Sequence, residues 1–201
     1  MIMNCLDMEG VVVPEIWIAF AEETGIASFR ITTRDEPDYD KLMRYRLELL
    51  RHHKLGIREI QETISHIDPL PGAREFLDEL RSFSQAVIVS DTFTQFARPL
   101  MQKLGNPTLL CNELVIGDDG YISDFRMRAA HSKLTTVKAF QAMGYETLAV
   151  GDSYNDLEML LASKTGVLFR STEQIRKDYP DLPTADTYPQ LLAVIRQAMA
   201  E

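Results

Sequence analysis

The fold class predicted by the sequence is a doubly wound parallel α/β sheet carrying a small inserted helical cap. Three observations predict it. Short apolar runs alternate with segments of helical period, as in a sheet whose parallel strands are joined by helices. More helical segments fall between the first and second runs than one crossover needs. Polar residues, mostly acidic, follow three of the runs, where an open parallel sheet binds its ligands.

The first run, Ile2 to Leu6, ends at Asp7, Glu9 and the turn residue Gly10. From Pro14 to Pro69 no strand pattern occurs. Apolar residues instead recur at Ile16, Ile18, Ala19 and Phe20, then at Leu42, Leu47, Leu49 and Leu50, then at Ile57, Ile60 and Ile64. That spacing predicts three or four helices, closed by the breaker "DPLPG". Residues 14–69 are therefore expected to form a cap, and residues 1–13 with 70–201 the α/β core.

Further strands are expected at Ala86 to Val89, Thr108 to Cys111, Thr147 to Val150 and Gly166 to Phe169. From Glu113 to Arg128 apolar residues alternate with period two about Asp119-Gly120, which predicts a hairpin. Asp118, Asp119 and Asp124 match no calcium-loop spacing, and a tight turn explains them.

The 201 residues, 45% hydrophobic, are enough for one main core. A net charge of −9 disfavours nucleic-acid binding. No apolar stretch is long enough to span a bilayer, and the N-terminus lacks the layout of a secretion signal, so a cytoplasmic protein without a membrane partner is expected. Cys5 and Cys111, in apolar segments with no metal-type spacing, are expected as free buried thiols. His52, His53, His66 and His131 show no metal spacing and are expected on the surface or cap, although His131 is close enough to Lys133 to line a site. Trp17, Phe20, Tyr39, Met43 and Tyr45 are expected to pack the cap, with Tyr39 or Met43 able to cover a ligand. Neither a Walker loop nor GxGxxG occurs, so no nucleotide cofactor is implied.

The polar residues at the strand ends suggest chemistry. Asp7 and Glu9 follow the first run, Ser90, Asp91 and Thr92 the second, and Gly151, Asp152, Ser153, Asn155 and Asp156 follow "TLAV". Lys133 stands apart, near the start of a helix. Any one of these acids has a simple helix-capping explanation. Converging carboxylates repel, however, unless a cation neutralises them, and a hard divalent ion with oxygen ligands, Mg²⁺, fits. Asp7 and Asp152 are its natural side-chain ligands, with a backbone carbonyl near Glu9 as another. A metal, a lysine, a hydroxyl and turn N–H groups also describe a phosphoryl site. One carboxylate is then free to attack phosphorus and another to move protons.

In "DMEGV", "VSD", Lys133 and "GDSYND" the sequence resembles the haloacid dehalogenase-like phosphohydrolases, whose core is Rossmann-like, and the four motifs occur in that family's order. The resemblance implies Asp7 as nucleophile and Glu9 as acid and base. It implies Ser90, with its neighbours Asp91 and Thr92, and Lys133 and Asn155 at the phosphate. Asp7, Glu9, Asp152 and Asp156 lie about the metal, with Asp156 holding Lys133 or metal-bound water. The cap stretches "VPEIWIAFAEETG" and "YDKLMRYRLELLRHHKLG" resemble the phosphoserine phosphatase branch, which implies Glu15 and Arg46 at the amino-acid end of the substrate. Glu9 departs from the usual Asp. With "TTRDEPDYD" and "SDTFTQFARPLMQKLGNPTLLCNEL" it resembles a branch that also transfers the phosphoryl group from phosphoserine to homoserine. A phosphatase of another small ester such as a sugar phosphate, and a phosphate-binding regulator without turnover, remain alternatives. The sequence leaves the oligomeric state open, a homodimer included.

Overall fold

The computed structural model describes residues 1–32, 35–36 and 38–200. Of the "TTRDEPDYD" stretch, Thr33, Arg34 and Pro37 lie outside the described residues. Among the described residues the strands are β1 (Ile2–Leu6), β2 (Gln85–Phe93), β3 (Leu109–Ile116), β4 (Ile122–Arg126), β5 (Glu146–Gly151), β6 (Thr165–Phe169) and β7 (Thr184–Ala185). They form one sheet in the order β4-β3-β2-β1-β5-β6-β7, parallel except at the β3–β4 pair. The chain moves outward from β1 in both directions, so β1, β2 and β5 bracket the switch point where ligand crevices form.

The central strands are apolar because helices cover both sheet faces. Cys5, Leu6, Val87, Val89, Ala149 and Val150 are almost fully buried. Core helices are α4 (Ala73–Phe83), α5 (Thr94–Lys103), α6 (Ser132–Ala142), α7 (Leu157–Ala162), α8 (Glu173–Asp178) and α9 (Tyr188–Ala200). Cys5 and Cys111 are free thiols, the first buried and the second half-buried.

Two details differ from the sequence reading. Thr108 to Cys111 and the first arm of the hairpin are one strand, β3, which starts parallel to β2 and continues antiparallel to β4. The second run does not end before Ser90, because β2 continues to Phe93. Its pairing with β3 passes from Val89↔Leu110 to Phe93↔Asn112, so the β2 side holds more residues over this interval than the β3 side. The irregularity takes Ser90, Asp91 and Thr92 out of the regular ladder.

Between β1 and α4 lie helices α1 (Ile16–Thr24), α2 (Tyr39–His52) and α3 (Ile57–Ser65), with a 3₁₀ turn at Ala27–Arg30. Asp38 caps α2, its side chain accepting from the Lys41 N–H at 3.2 Å. Gly25, at φ 70°, closes α1 in the left-handed conformation. The two chain segments that border this insertion meet, the Leu70 N–H donating to the Val12 carbonyl at 3.0 Å. Phe20 and Phe29 pack with Trp17, which meets Phe96 of α5 edge-on at 5.2 Å. The inserted helices therefore share one apolar cluster with the core.

Candidate active site

The residue after β1 is Asp7, 4% exposed, whose N–H continues the ladder by donating to the Val150 carbonyl at 2.8 Å. The chain then folds back, with the Val12 and Val13 N–H groups donating to the Met8 carbonyl at 2.9 and 3.0 Å. Gly10 is required twice over in this turn. Its φ is +76°, and a Cβ would lie 2.5 Å from the Asp152 carboxylate. The loop after β1 and the loop after β5 thus touch through a glycine.

Lys133, from the first turn of α6, reaches the centre. Its Nζ donates to Asp7 Oδ1 at 2.8 Å and to Asp156 Oδ1 at 2.6 Å, all three groups being buried. Burial works against its charge, but Asp7 and Asp156 outweigh that and hold it protonated. The other oxygen of Asp156 accepts from the N–H groups of Asp152 and Ser153 at 3.1 and 3.2 Å. Asp156 is an organiser with both oxygens in use.

Asp7, Asp152 and Asp156 each present an oxygen within 4.8 Å of the others. Burial and the charge of Asp156 push the Asp7 carboxyl up, and burial with Asp156 pushes Asp152 up to about 6. The donor set fits a hard divalent cation: all oxygen, converging, and electrostatically unfavourable alone. Glu9 stands outside that group. Its Oε2 accepts from the Ile16 N–H at 3.0 Å, at the start of α1. Burial, then the neighbouring Glu15, push its carboxyl up to about 8.

Ser90 and Thr92 are buried, the Thr92 N–H donating to Ser90 Oγ at 3.2 Å, while the Asp91 carboxylate accepts from Ser132 Oγ. Asn155 is exposed, its side-chain oxygen accepting from Ser153 Oγ. Beside Glu9, Glu15 sits exposed at the cap position of α1, where its side chain caps nothing. Arg46 is 5% exposed, stacked 4.5 Å over Trp17 with one nitrogen donating to the Ile31 carbonyl at 2.6 Å. Among the described residues its Nε has no hydrogen-bond partner, and burial lowers the guanidinium to about 10.

A cavity of about 420 Å³ joins these parts, and every residue to which the family resemblance gives a role is on its wall except Asp156. The wall also holds Trp17, Tyr39, Phe93 and Tyr154, of which the sequence reading singled out only Tyr39 as a ligand cover. Met43 is fully buried beneath Arg46. His131 does not line the cavity, because its Nδ1 lies on Glu158 at 2.9 Å.

A mostly parallel sheet with an acidic turn after its first strand, a buried lysine and paired aspartates after β5 defines a phosphohydrolase core. The chain belongs to the haloacid dehalogenase-like hydrolases, whose family model matches residues 12–164. It is 49% identical over 187 residues to a phosphoserine phosphatase ThrH of Pseudomonas aeruginosa, covering 93% of this chain and 91% of the relative. To a phosphoserine phosphatase of Pseudomonas syringae pv. tomato it is 48% identical, covering 93% of this chain and 79% of the relative. A solved phospho-aspartyl intermediate analogue of phosphoserine phosphatase superposes with a TM-score of 0.75 at 22% identity, covering 96% of this chain and 97% of that one. That likeness speaks for the fold.

Proposed function

We propose that the protein is a Mg²⁺-dependent phosphoserine phosphatase that works through an aspartyl-phosphate on Asp7 and also passes the phosphoryl group to homoserine. The observation that carries the reading is the two-ended cavity. At one end Asp7, Lys133 and Ser90 suit a phosphoryl group; at the other the Nε of buried Arg46, without a partner among the described residues, and Glu15 nearby suit a carboxylate and an ammonium. The names of the two Pseudomonas relatives support the same substrate.

Asp7 and Asp152 would hold Mg²⁺, with Asp156 steadying them, and the ion would offset the negative charge gathered around phosphorus. Asp7 attacks phosphorus as the bond to the serine oxygen breaks, and protonated Glu9 gives that oxygen its proton. Lys133 and Ser90 hold the phosphoryl oxygens. Glu9, now a carboxylate, takes a proton from water or from the homoserine hydroxyl. The acceptor oxygen then attacks phosphorus, the Asp7 bond breaks, and phosphate or phosphohomoserine leaves. Residues 14–69 act as the cap that brings Glu15 and Arg46 over the core and limits the entry of water. No helix among the described residues is long and apolar enough to cross a membrane.

The test is incubation with phosphoserine and Mg²⁺, with and without homoserine, following free phosphate and phosphohomoserine together. Both products drawn from one pool establish the reading. Free phosphate alone removes the transfer half, and turnover only of esters without an amino group would shift the assignment to another small phosphate.

A further inference from the structure

The tip of Lys133 is fixed by two carboxylates, but the helix that carries it starts without a side-chain cap. His131, in the cap position of α6, has φ 47° and ψ 53°, and its side chain accepts no capping bond. The first helical residue, Ser132, is buried at 6% exposure and is held in another way. Its Oγ donates to Asp91 Oδ1 at 2.7 Å, and its carbonyl accepts from the Arg128 guanidinium at 3.0 Å. Asp91 is the residue between Ser90 and Thr92, and its own carbonyl accepts from Asn112 Nδ2 at 2.9 Å and from the Tyr39 hydroxyl at 3.3 Å. One hydrogen bond therefore joins the neighbour of Ser90 to the neighbour of Lys133.

We propose that Ser132 is a positioning residue, and that its bond to Asp91 is a strut setting the spacing between the two groups that hold the phosphoryl oxygens, Ser90 and Lys133. The inference rests on the phosphate site proposed above. A bond from a hydroxyl to a carboxylate is charge-assisted, hence shorter and stronger than a neutral one. It crosses from β2 to α6, two elements that do not otherwise share a loop, at the place where an error of an ångström costs most. It also gives the Asp91 carboxylate a donor of its own beside a site built for an anion. Through Tyr39 the same residue meets α2, the helix that presents Arg46, so both ends of the cavity are referenced to Asp91.

Inorganic phosphate is the probe, titrated into the Mg²⁺-loaded protein by calorimetry, beside KM for phosphoserine. Ser132→Ala is expected to weaken phosphate about tenfold, the scale of one hydrogen bond to a charged group, and to raise KM in parallel. Ser132→Thr, which keeps the hydroxyl, is expected to recover most of the loss. Asp91→Ala combined with Ser132→Ala should be no worse than the poorer single change, because both break one bond. Unchanged phosphate affinity in Ser132→Ala, no recovery in Ser132→Thr, or losses that add in the double variant would overturn the strut. If Asp91→Ala does not fold, the comparison of alanine with threonine at residue 132 decides alone. Wild-type protein that binds phosphate but does not turn over phosphoserine removes the substrate reading and leaves the strut to be judged on phosphate; wild-type protein that binds no phosphate overturns both.

Discussion

Glu9 and Arg46 show how the surroundings of one side chain prepare it for a task. A glutamate in water is ionised at neutral pH and a poor acid, whereas shielding and the charge of Glu15 push Glu9 up to about 8. Below that pH the folded protein holds Glu9 protonated and ready to give its proton; above it the proton is lost. The expected outcome is a kcat/KM for phosphoserine that declines as pH rises through about 8. Glu15→Gln removes one of the two causes and should move that decline to lower pH, read from the pH profile of an aryl phosphate. Glu9→Gln should reduce kcat by about a hundredfold or more, the usual contribution of a positioned acid and base. For Arg46, loss of the fork in Arg46→Ala should raise KM for phosphoserine by at least about tenfold, and raise that of an aryl phosphate with no carboxylate much less. The acids around Asp7 were legible in the sequence because strand ends deliver side chains to one edge. Arg46 was legible only through the family resemblance, since its place beside Trp17 depends on how the inserted helices pack. Trp17 itself read as packing, which it also is; nothing in its local pattern separates a wall residue from a core one.

Turns and strand irregularities do the placing at the next scale. The turn after β1 lies against the β5 loop so closely that Gly10 has no space for a methyl group, and its backbone occupies a region that other residues enter at a cost. Gly10→Ala should therefore lower stability by about 1–3 kcal/mol and cut activity more than stability, measured by denaturant unfolding beside kcat. The helices and strands most easily read were the long or the doubly buried ones. β1, β5 and β6 came out within a residue or two because helices cover both faces and every position must be apolar. β7 has only Thr184 and Ala185, and α7 and α8 are short helices of six residues, too brief for any period to register. The course of β2 past Ser90 was missed for a related reason: its polar residues read as a loop, while the strand pairing resumes at Phe93.

Over the whole molecule, the inserted helices and the sheet share apolar contacts, and the acids share a centre. Three aspartates that can converge on one ion repel each other when it is absent. Adding Mg²⁺ to metal-free protein should raise the melting temperature, by an amount that grows with ion concentration as binding to the folded state requires, and Asp152→Asn should reduce that rise. A calorimetric scan with and without chelator checks this independently of turnover.

The lining of the cavity also sets a sequence of events. Five acidic side chains, Asp7, Glu9, Glu15, Asp91 and Asp152, face two cationic ones, Arg46 and Lys133. A visitor that brings a phosphate dianion and a carboxylate meets like charge at the door, and Lys133 is already committed to Asp7 and Asp156. A divalent ion held by the aspartates would offset much of that charge and ease entry. The expected order of arrival is ion first and ester second, and initial-rate patterns with both varied should intersect as an ordered scheme requires. The concentration of free divalent ion, as well as that of the ester, would then govern how many copies of the protein are ready to receive substrate at any moment.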